Sequence, residues 1–310
     1  MRDREKTFLT IGECMVELAP LSGDDYRAGF AGDTFNSAWY ARRLLPEGFD
    51  VAYGTCVGDD AISGRMLDFM VQAGIDISTV RRLPGRTVGL YMIQLDNGER
   101  SFSYWRGQSA ARSLGEDPTW LAQITASAGT ILFSGITLAI LPEQGRRNLL
   151  DALASARAGG ATVAFDPNLR PRLWPDTAAM RAAIMQAAAV ADITLPSFDE
   201  EALHFGDADP AATIARYRDA GIATVVVKNG EDELHVGATD APVRGFRPDK
   251  APQITDTTAA GDSFNAGFLT ARMQGRTLDD SVRAGMDLAA RVVQARGALV
   301  ESALAASRRG

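Results

Sequence analysis

The sequence predicts an α/β fold: a doubly wound, mainly parallel sheet flanked by helices, with a small β-sheet as a lid. Three observations carry that expectation. From residue 130 onward, short apolar runs at 130–133, 162–165, 193–195 and 224–227 alternate with Ala-rich helical stretches at 144–157, 177–191 and 210–220. That is the spacing of βα units. Earlier, two alternating runs at 87–95 and 100–106 flank Asp96-Asn97-Gly98, a strong hairpin signal. Finally, Thr255-Asp256-Thr257-Thr258-Ala259-Ala260-Gly261-Asp262 runs from a turn of small residues into a helical pattern with Phe264 and Phe268 one turn apart.

Taken in order, residues 8–12 read as a first buried strand. Its continuation at 13–18 alternates, as expected of a strand that leaves the core sheet for a more exposed one. A turn at Ser22-Gly23-Asp24-Asp25 leads to Gly32, after which a helix is expected at 34–45, with Asp33 and Asn36 forming a polar mouth at its start. A strand at 51–57 ends in Gly58-Asp59-Asp60, a helix follows to Gly74, and residues 74–78 read as another βα-type transition. In the hairpin, a period of two puts Tyr104 and Arg106 on one face and Ser103 and Trp105 on the other. The whole chain, 1–310, is expected to be a single domain whose lid is built from roughly 13–33 and 86–107. A last helix is expected at 278–294.

Composition narrows the function. A net charge of −7 argues against nucleic acid as the main partner. Basic residues that converge on one place would therefore serve a specific anionic ligand. Cys14 and Cys56 are too few for a disulfide framework and read as small buried hydrophobes. Residues 2–6 are all charged and lead into a strand pattern rather than a signal-peptide core, and no apolar run is long enough to span a bilayer. The expectation is a soluble, cytoplasmic protein with no membrane partner. There is no Gly-x4-Gly-Lys-Ser/Thr loop, no His-Arg-Asp sequence at His204 or His235, and no Gly-x-Gly-x-x-Gly after a strand. P-loop ATPases, protein kinases and ordinary dinucleotide enzymes are thereby removed. Neither histidine has metal-ligand spacing; both read as surface or helix-end residues.

The turn at 255–262 is the centre of the chemistry. Its lack of bulk lets backbone approach a ligand closely. The N–H groups of Ala259, Ala260, Gly261 and Asp262 would point together at the positive end of a helix dipole, which makes an anion site. Asp262 inside an anion site makes sense as the acceptor of a proton, as in phosphoryl transfer to a hydroxyl. The plainer alternative is a capped helix, with Thr257 or Thr258 as N-cap.

Asp-Thr-Thr-Ala-Ala-Gly-Asp at 256–262 resembles the C-terminal signature of the ribokinase-like (PfkB) carbohydrate kinases, in which the final Asp is the catalytic base. The order of elements, from the Gly-Asp-x-x-x-Asn mouth through the hairpin to that turn, is similar from end to end. Within the family the similarity is to the 2-keto-3-deoxygluconate kinases. It is carried by Gly-Glu-Cys-Met-Val-Glu-Leu at 12–18, Gly-Asp-Thr-Phe-Asn at 32–36, Tyr-Trp-Arg at 104–106, Gly-Ile-Thr-Leu-Ala at 135–139, Asp-Pro-Asn-Leu-Arg-Pro-Arg-Leu-Trp at 166–174 and Leu-Pro-Ser-Phe-Asp-Glu-Glu at 195–201. The resemblance implies ATP-dependent phosphorylation of a sugar acid, with Mg²⁺ as cofactor.

It also implies roles for single residues. Asp262 is the base, with Ala259, Ala260 and Gly261 around the transferring phosphoryl group. Arg106 and Arg170 take the acid end, Tyr91 and Tyr104 line the sugar, and Gly32, Asp33 and Asn36 bind hydroxyls. Arginine suits a carboxylate because it grips with two parallel N–H bonds. On the nucleotide side stand Asn168, Arg170, Ser197, Lys228, Gly230, Ala259, Gly261 and Met286. Ser197 and Glu200 occupy the family's Asn-x-x-Glu positions, so Glu200 would organise Mg²⁺ through water, with Ser a departure from Asn and Asp199 able to share the task. A monovalent cation near Asp256 and a homo-oligomer formed through the lid complete the expectation. Two alternatives remain open at this point: a kinase of a neutral sugar such as fructose or ribose, and a sugar-acid-binding regulator without catalysis.

Overall fold

The computed structural model describes residues 3–304 except 23, 97, 98 and 240. The turn residues Gly23, Asn97 and Gly98 therefore lie outside the described residues. In chain order the strands are β1 (Thr7–Ile11), β2 (Met15–Pro20), β3 (Tyr26–Ala31), β4 (Asp50–Val57), β5 (Val80–Arg82), β6 (Gly89–Asp96) and β7 (Glu99–Trp105). They continue with β8 (Thr130–Ser134), β9 (Thr162–Asp166), β10 (Ile193–Thr194), β11 (Thr224–Val227), β12 (Leu234–Ala238) and β13 (Arg244–Phe246). Nine strands form the main sheet in the order β13-β12-β11-β10-β9-β8-β1-β4-β5, and β3-β2-β6-β7 form a second, smaller sheet. From β11 to β5 every neighbouring pair is parallel; β12 and β13 add antiparallel.

The central strands are apolar on both faces because helices cover both. Every residue of β1 and β8 is buried. Alternation sorts the side chains: Leu9, Ile131, Phe133 and Phe165 pack toward the helices Glu143–Ala158 and Thr177–Ala188. Phe8, Leu132, Ala164 and Val226 pack toward the helices Asp33–Leu44, Ala260–Met273 and Leu278–Val292. Cys14 and Cys56 are free and buried, as small core residues.

The small sheet arises where the sequence changes from continuous apolar to alternating. β1 ends at Ile11, the chain crosses at Gly12–Cys14, and β2 pairs with β3 and, in parallel, with β6. β7 returns antiparallel to β6, with Tyr91 opposite Tyr104.

One expectation changes, and two placements are added. Residues 74–78 do not open a βα unit. Asp76 accepts from the N–H and hydroxyl of Ser78 (2.9 and 2.8 Å) in a tight turn, and the chain runs directly into the edge strand β5. His235 is partly exposed and lies within β12 rather than at a helix end, where Nδ1 lies 3.0 Å from the Glu233 carbonyl oxygen. The pair β12–β13 has no counterpart in the sequence reading. β12 contains a glycine whose place is set by Ile214: a Cβ on Gly237 would lie 2.3 Å from the Ile214 side chain.

Candidate active site

The carboxyl ends of β8 to β11 and the facing side of the small sheet enclose a cavity of about 720 Å³. A second cavity of about 500 Å³ lies beside it, and both are lined by Ser197, Lys228, Ile254, Thr257, Ala260 and Gly261. The junction of the two is therefore the turn before the helix Ala260–Met273. Ligands of open α/β sheets bind beyond the strand ends.

That turn is not an ordinary cap. The N-cap position is Ala259, in the left-handed region with φ 59°, and no side chain caps the helix, so Thr257 and Thr258 do not serve as N-caps. An alanine held there stores local strain. Of the four amides expected to be free, that of Ala260 is engaged by the Thr257 carbonyl oxygen (3.2 Å). This bond spans three residues and closes a β-turn, with Ala259 at its third position, so the bend uses one of its own amides. The N–H groups of Ala259, Gly261 and Asp262 have no acceptor among the described residues, so three of the four are open to an anion.

Asp262 follows Gly261 of that junction, lines the larger cavity and points toward the helix Asp33–Leu44. Its Oδ2 accepts from Asn36 Nδ2 (2.8 Å), and its carbonyl oxygen accepts from the Ser37 hydroxyl (3.0 Å). Burial, followed by the charge of Asp33, pushes its carboxyl up to about 7, while the Asn36 hydrogen bond opposes the rise. Asn36 thus holds the candidate base and also accepts from the Gly32 N–H (3.3 Å). Gly32 is required by space: a Cβ there would fall 2.1 Å from the Glu13 carbonyl oxygen. Asp33 accepts from Asn168 Nδ2 (2.9 Å), and burial raises its carboxyl as well. Asn168 adopts a positive φ of 37°.

The basic residues are already paired. Arg106, just past the end of β7, forms an ion pair with Glu13, and both side chains are buried. Arg170 pairs with Glu200, which also accepts from the Leu169 N–H (2.8 Å). Lys228 lies 3.2 Å from Asp166 Oδ2 and 3.3 Å from Asn265 Oδ1; Asn265 in turn donates to Asp166 (2.6 Å). Tyr91, Phe102 and Tyr104 form an aromatic group on the small sheet, with ring centroids 6.0–6.3 Å apart. The Tyr91 hydroxyl donates to Glu17, so this residue offers the cavity its ring.

All of Gly32, Asp33, Asn36, Tyr91, Tyr104, Arg106, Asn168, Arg170, Ser197, Glu200, Lys228, Asp256, Ala259, Ala260, Gly261 and Asp262 line the larger cavity. Gly230, Asp199 and Met286 line the smaller one instead. Asp256 accepts from the backbone N–H groups of Thr258 (3.0 Å) and Gly297 (2.7 Å). Among the described residues no group of three or more His, Cys, Asp and Glu is arranged to hold a metal ion by itself. Glu200, Asp199 and the Ser197 hydroxyl are oxygen donors at the junction. They fit Mg²⁺, which keeps several waters and takes phosphate oxygens.

Sequence reasoning gave no role to three charged cavity residues, Glu13, Asp166 and Arg172, although it set Asp166 in a polar cluster at the strand ends. Glu13 and Asp166 each sit at or just after the carboxyl end of a core strand, a position that could have singled them out. Arg172 lines the cavity with its guanidinium carbon 5.9 Å from the Tyr104 ring centroid, a contact between core and small sheet that no local pattern announces.

Comparison with known proteins agrees with this geometry. The family model described as "pfkB family carbohydrate kinase" matches residues 6–303. The chain is 38% identical over 301 residues to the 2-dehydro-3-deoxygluconokinase of Dickeya dadantii, covering 95% of this chain and 97% of that protein. Among solved structures, a PfkB protein from Polaromonas sp. JS666 superposes with a TM-score of 0.82 at 29% identity, covering 97% of this chain and 99% of the other. A putative ribokinase II from E. coli, solved in complex with ATP and Mg²⁺, shares the fold with a TM-score of 0.81 at 22% identity, covering 95% and 94%.

Proposed function

The chain belongs to the pfkB family of carbohydrate kinases, and from that premise we propose that it transfers the γ-phosphoryl group of ATP to the terminal hydroxyl of 2-keto-3-deoxygluconate, giving the 6-phospho product. One observation carries the reaction type: a carboxyl raised to about 7 faces the larger cavity beside three unengaged amides, one of them on Gly261, which lines both cavities. The name borne by the relatives supports the substrate.

In this reading the sugar acid occupies the larger cavity and the nucleotide the smaller, with Gly230 and Met286 on the nucleotide side. Asp262, ionised, accepts the proton of the attacking hydroxyl, and a base poised near neutrality suits that task. The amides of Ala259, Gly261 and Asp262 face the charge on the moving phosphoryl group. Lys228 turns from Asp166 toward phosphate. Glu200, with Asp199 and Ser197, would hold Mg²⁺ through water, and the ion would shield phosphate charge when bound. The small sheet excludes water that would otherwise accept the phosphoryl group. Tyr91 and Tyr104 face the sugar, and Gly32, Asp33 and Asn36 its hydroxyls.

The same reading includes a monovalent cation at Asp256, a cytoplasmic setting where ATP is available, and a homo-oligomer. Leu21, Tyr26 and Trp105, exposed on or beside the small sheet, support assembly through that face. Among the described residues no helix is long and apolar enough to cross a membrane.

A neutral sugar is the second reading, and one observation favours it: Arg106 and Arg170 are both already compensated by protein carboxylates. A coupled ATP-consumption assay across sugar acids, fructose and ribose separates the two. Turnover on 2-keto-3-deoxygluconate well above that on the neutral sugars is expected; the reverse order overturns the substrate, and no turnover on any sugar overturns catalysis.

A further inference from the structure

Glu13 has no part in the chemistry above, yet it is the most enclosed charged group of the cavity wall, with its side chain 1% exposed. It lies where the chain passes from β1 in the main sheet to β2 in the small one, and Arg106 lies where the chain leaves the small sheet after β7. Their ion pair therefore ties together two crossings between the sheets. Gly89, at the start of β6, makes the room. A Cβ there would lie 2.9 Å from Glu13 Oε1 and 3.2 Å from Arg106 Cβ.

The pair poses a problem of charge for an acid substrate. With Glu13 ionised, Arg106 is compensated before any ligand arrives. A substrate carboxylate at the same guanidinium would put two anions on one cation whose own side chain, like that of Glu13, is buried. We propose that Glu13 is the resident counter-ion of Arg106, displaced by the substrate's carboxylate and restored as the product leaves. It is a positioning and specificity-determining residue: it orients the guanidinium in the empty site and limits how tightly an acid is held. This rests on the sugar-acid reading above.

When Arg106 turns to the substrate, Glu13 loses the partner that favours its charge. Burial already holds its carboxyl above the usual range, against the opposing pull of Arg106 and Ser109. The other charged group facing it is Asp33, an anion. Glu13 therefore takes up a proton as the acid binds, and returns it on release.

Calorimetric titration without ATP tests this. 2-Keto-3-deoxygluconate and its neutral analogue 3-deoxyfructose are bound to the wild-type protein near neutral pH in two buffers of different ionisation enthalpy. Proton uptake should accompany the acid and exceed that with the neutral analogue. Glu13→Gln should bind the acid about tenfold more tightly, because the neutral amide removes the cost of displacing and protonating the counter-ion. It should also lose the extra uptake and leave the analogue's affinity unchanged. Glu13→Asp should keep the uptake. A purely structural Glu13 gives the opposite result, with both variants weakening acid and neutral ligands alike. Acid binding by the wild type without extra proton uptake overturns the proposal alone, and that arm stands even if Glu13→Gln does not fold. Failure of the wild type to bind the acid overturns the sugar-acid reading and this proposal with it.

Discussion

Replacing Asp262 by Asn tests the centre of the site, because activity and stability should move in opposite directions. The amide keeps the size and still accepts the Asn36 hydrogen bond, but it cannot take a proton. Turnover should fall about 10²-fold or more. In the wild type, kcat/KM should rise with pH up to about 7 and then level off, as Asp262 ionises; the residual rate of the variant should lack that limb. The stability follows from the same group. Its folded value of about 7 lies above the ordinary aspartate value of 3.8, so between these the folded protein holds a proton that the unfolded chain releases. Stability is therefore lost as pH rises through that window, and the loss is complete above about 7. At about 1.4 kcal/mol per pH unit the rise corresponds to about 4 kcal/mol. Asp262 is only partly buried against the open cavity, and water there screens the charge, so roughly half is the better expectation. Asp262→Asn should then melt several degrees higher than wild type above neutral pH, at about 2 °C per kcal/mol. The difference should close toward pH 4. Thermal melts across pH, paired with the coupled assay, measure both. A helix-capping Asp would give a lower melting temperature and near wild-type turnover, and either result would refute the assignment.

Three further outcomes are expected. Arg106→Ala should lose roughly 2–5 kcal/mol of kcat/KM on the sugar acid, since one side of a buried charge pair is removed. Its loss on 3-deoxyfructose should be much smaller, and Arg106→Lys should recover only part of the acid activity; an equal fall on both substrates, measured by steady-state kinetics, would remove Arg106 as the carboxylate's partner. Ala259→Val places a β-branched residue in the left-handed region. It should raise the ATP KM and lower kcat, whereas Ala259→Gly should melt at or above the wild-type temperature; unchanged kinetics in the Val variant would move the anion cradle elsewhere. Away from the site, Glu201 is fully buried and paired with Arg216 (2.7 Å) and the Tyr217 hydroxyl (3.0 Å). Arg216→Ala should cost about 3–5 kcal/mol in denaturant melts by leaving that acid without its cation, while kcat of the folded fraction stays unchanged.

The sequence by itself determined what local chemistry can determine. Continuous apolar runs such as Thr130–Ser134 must be covered on both faces, and their spacing with Ala-rich helices leaves a parallel sheet as the arrangement. The alternation in Met15–Pro20 and Gly89–Asp96 marked a sheet with one open face. The turn at 255–262 announced an anion site because small residues, a helix start and one acid stand together in the chain. Tertiary structure decided what depends on partners far apart in sequence. Which amides stay free, which oxygen Asn36 holds, and how far the neighbouring carboxylate of Asp33 raises Asp262 all depend on helices meeting 226 residues apart. The strands β12 and β13 were illegible because a short strand with a glycine has little signal until a neighbour such as Ile214 fixes it. The same is true of the arginines. Sequence supplied the guanidinium groups, but a charge acts through its surroundings, and only the fold brought Glu13 to Arg106 and Glu200 to Arg170.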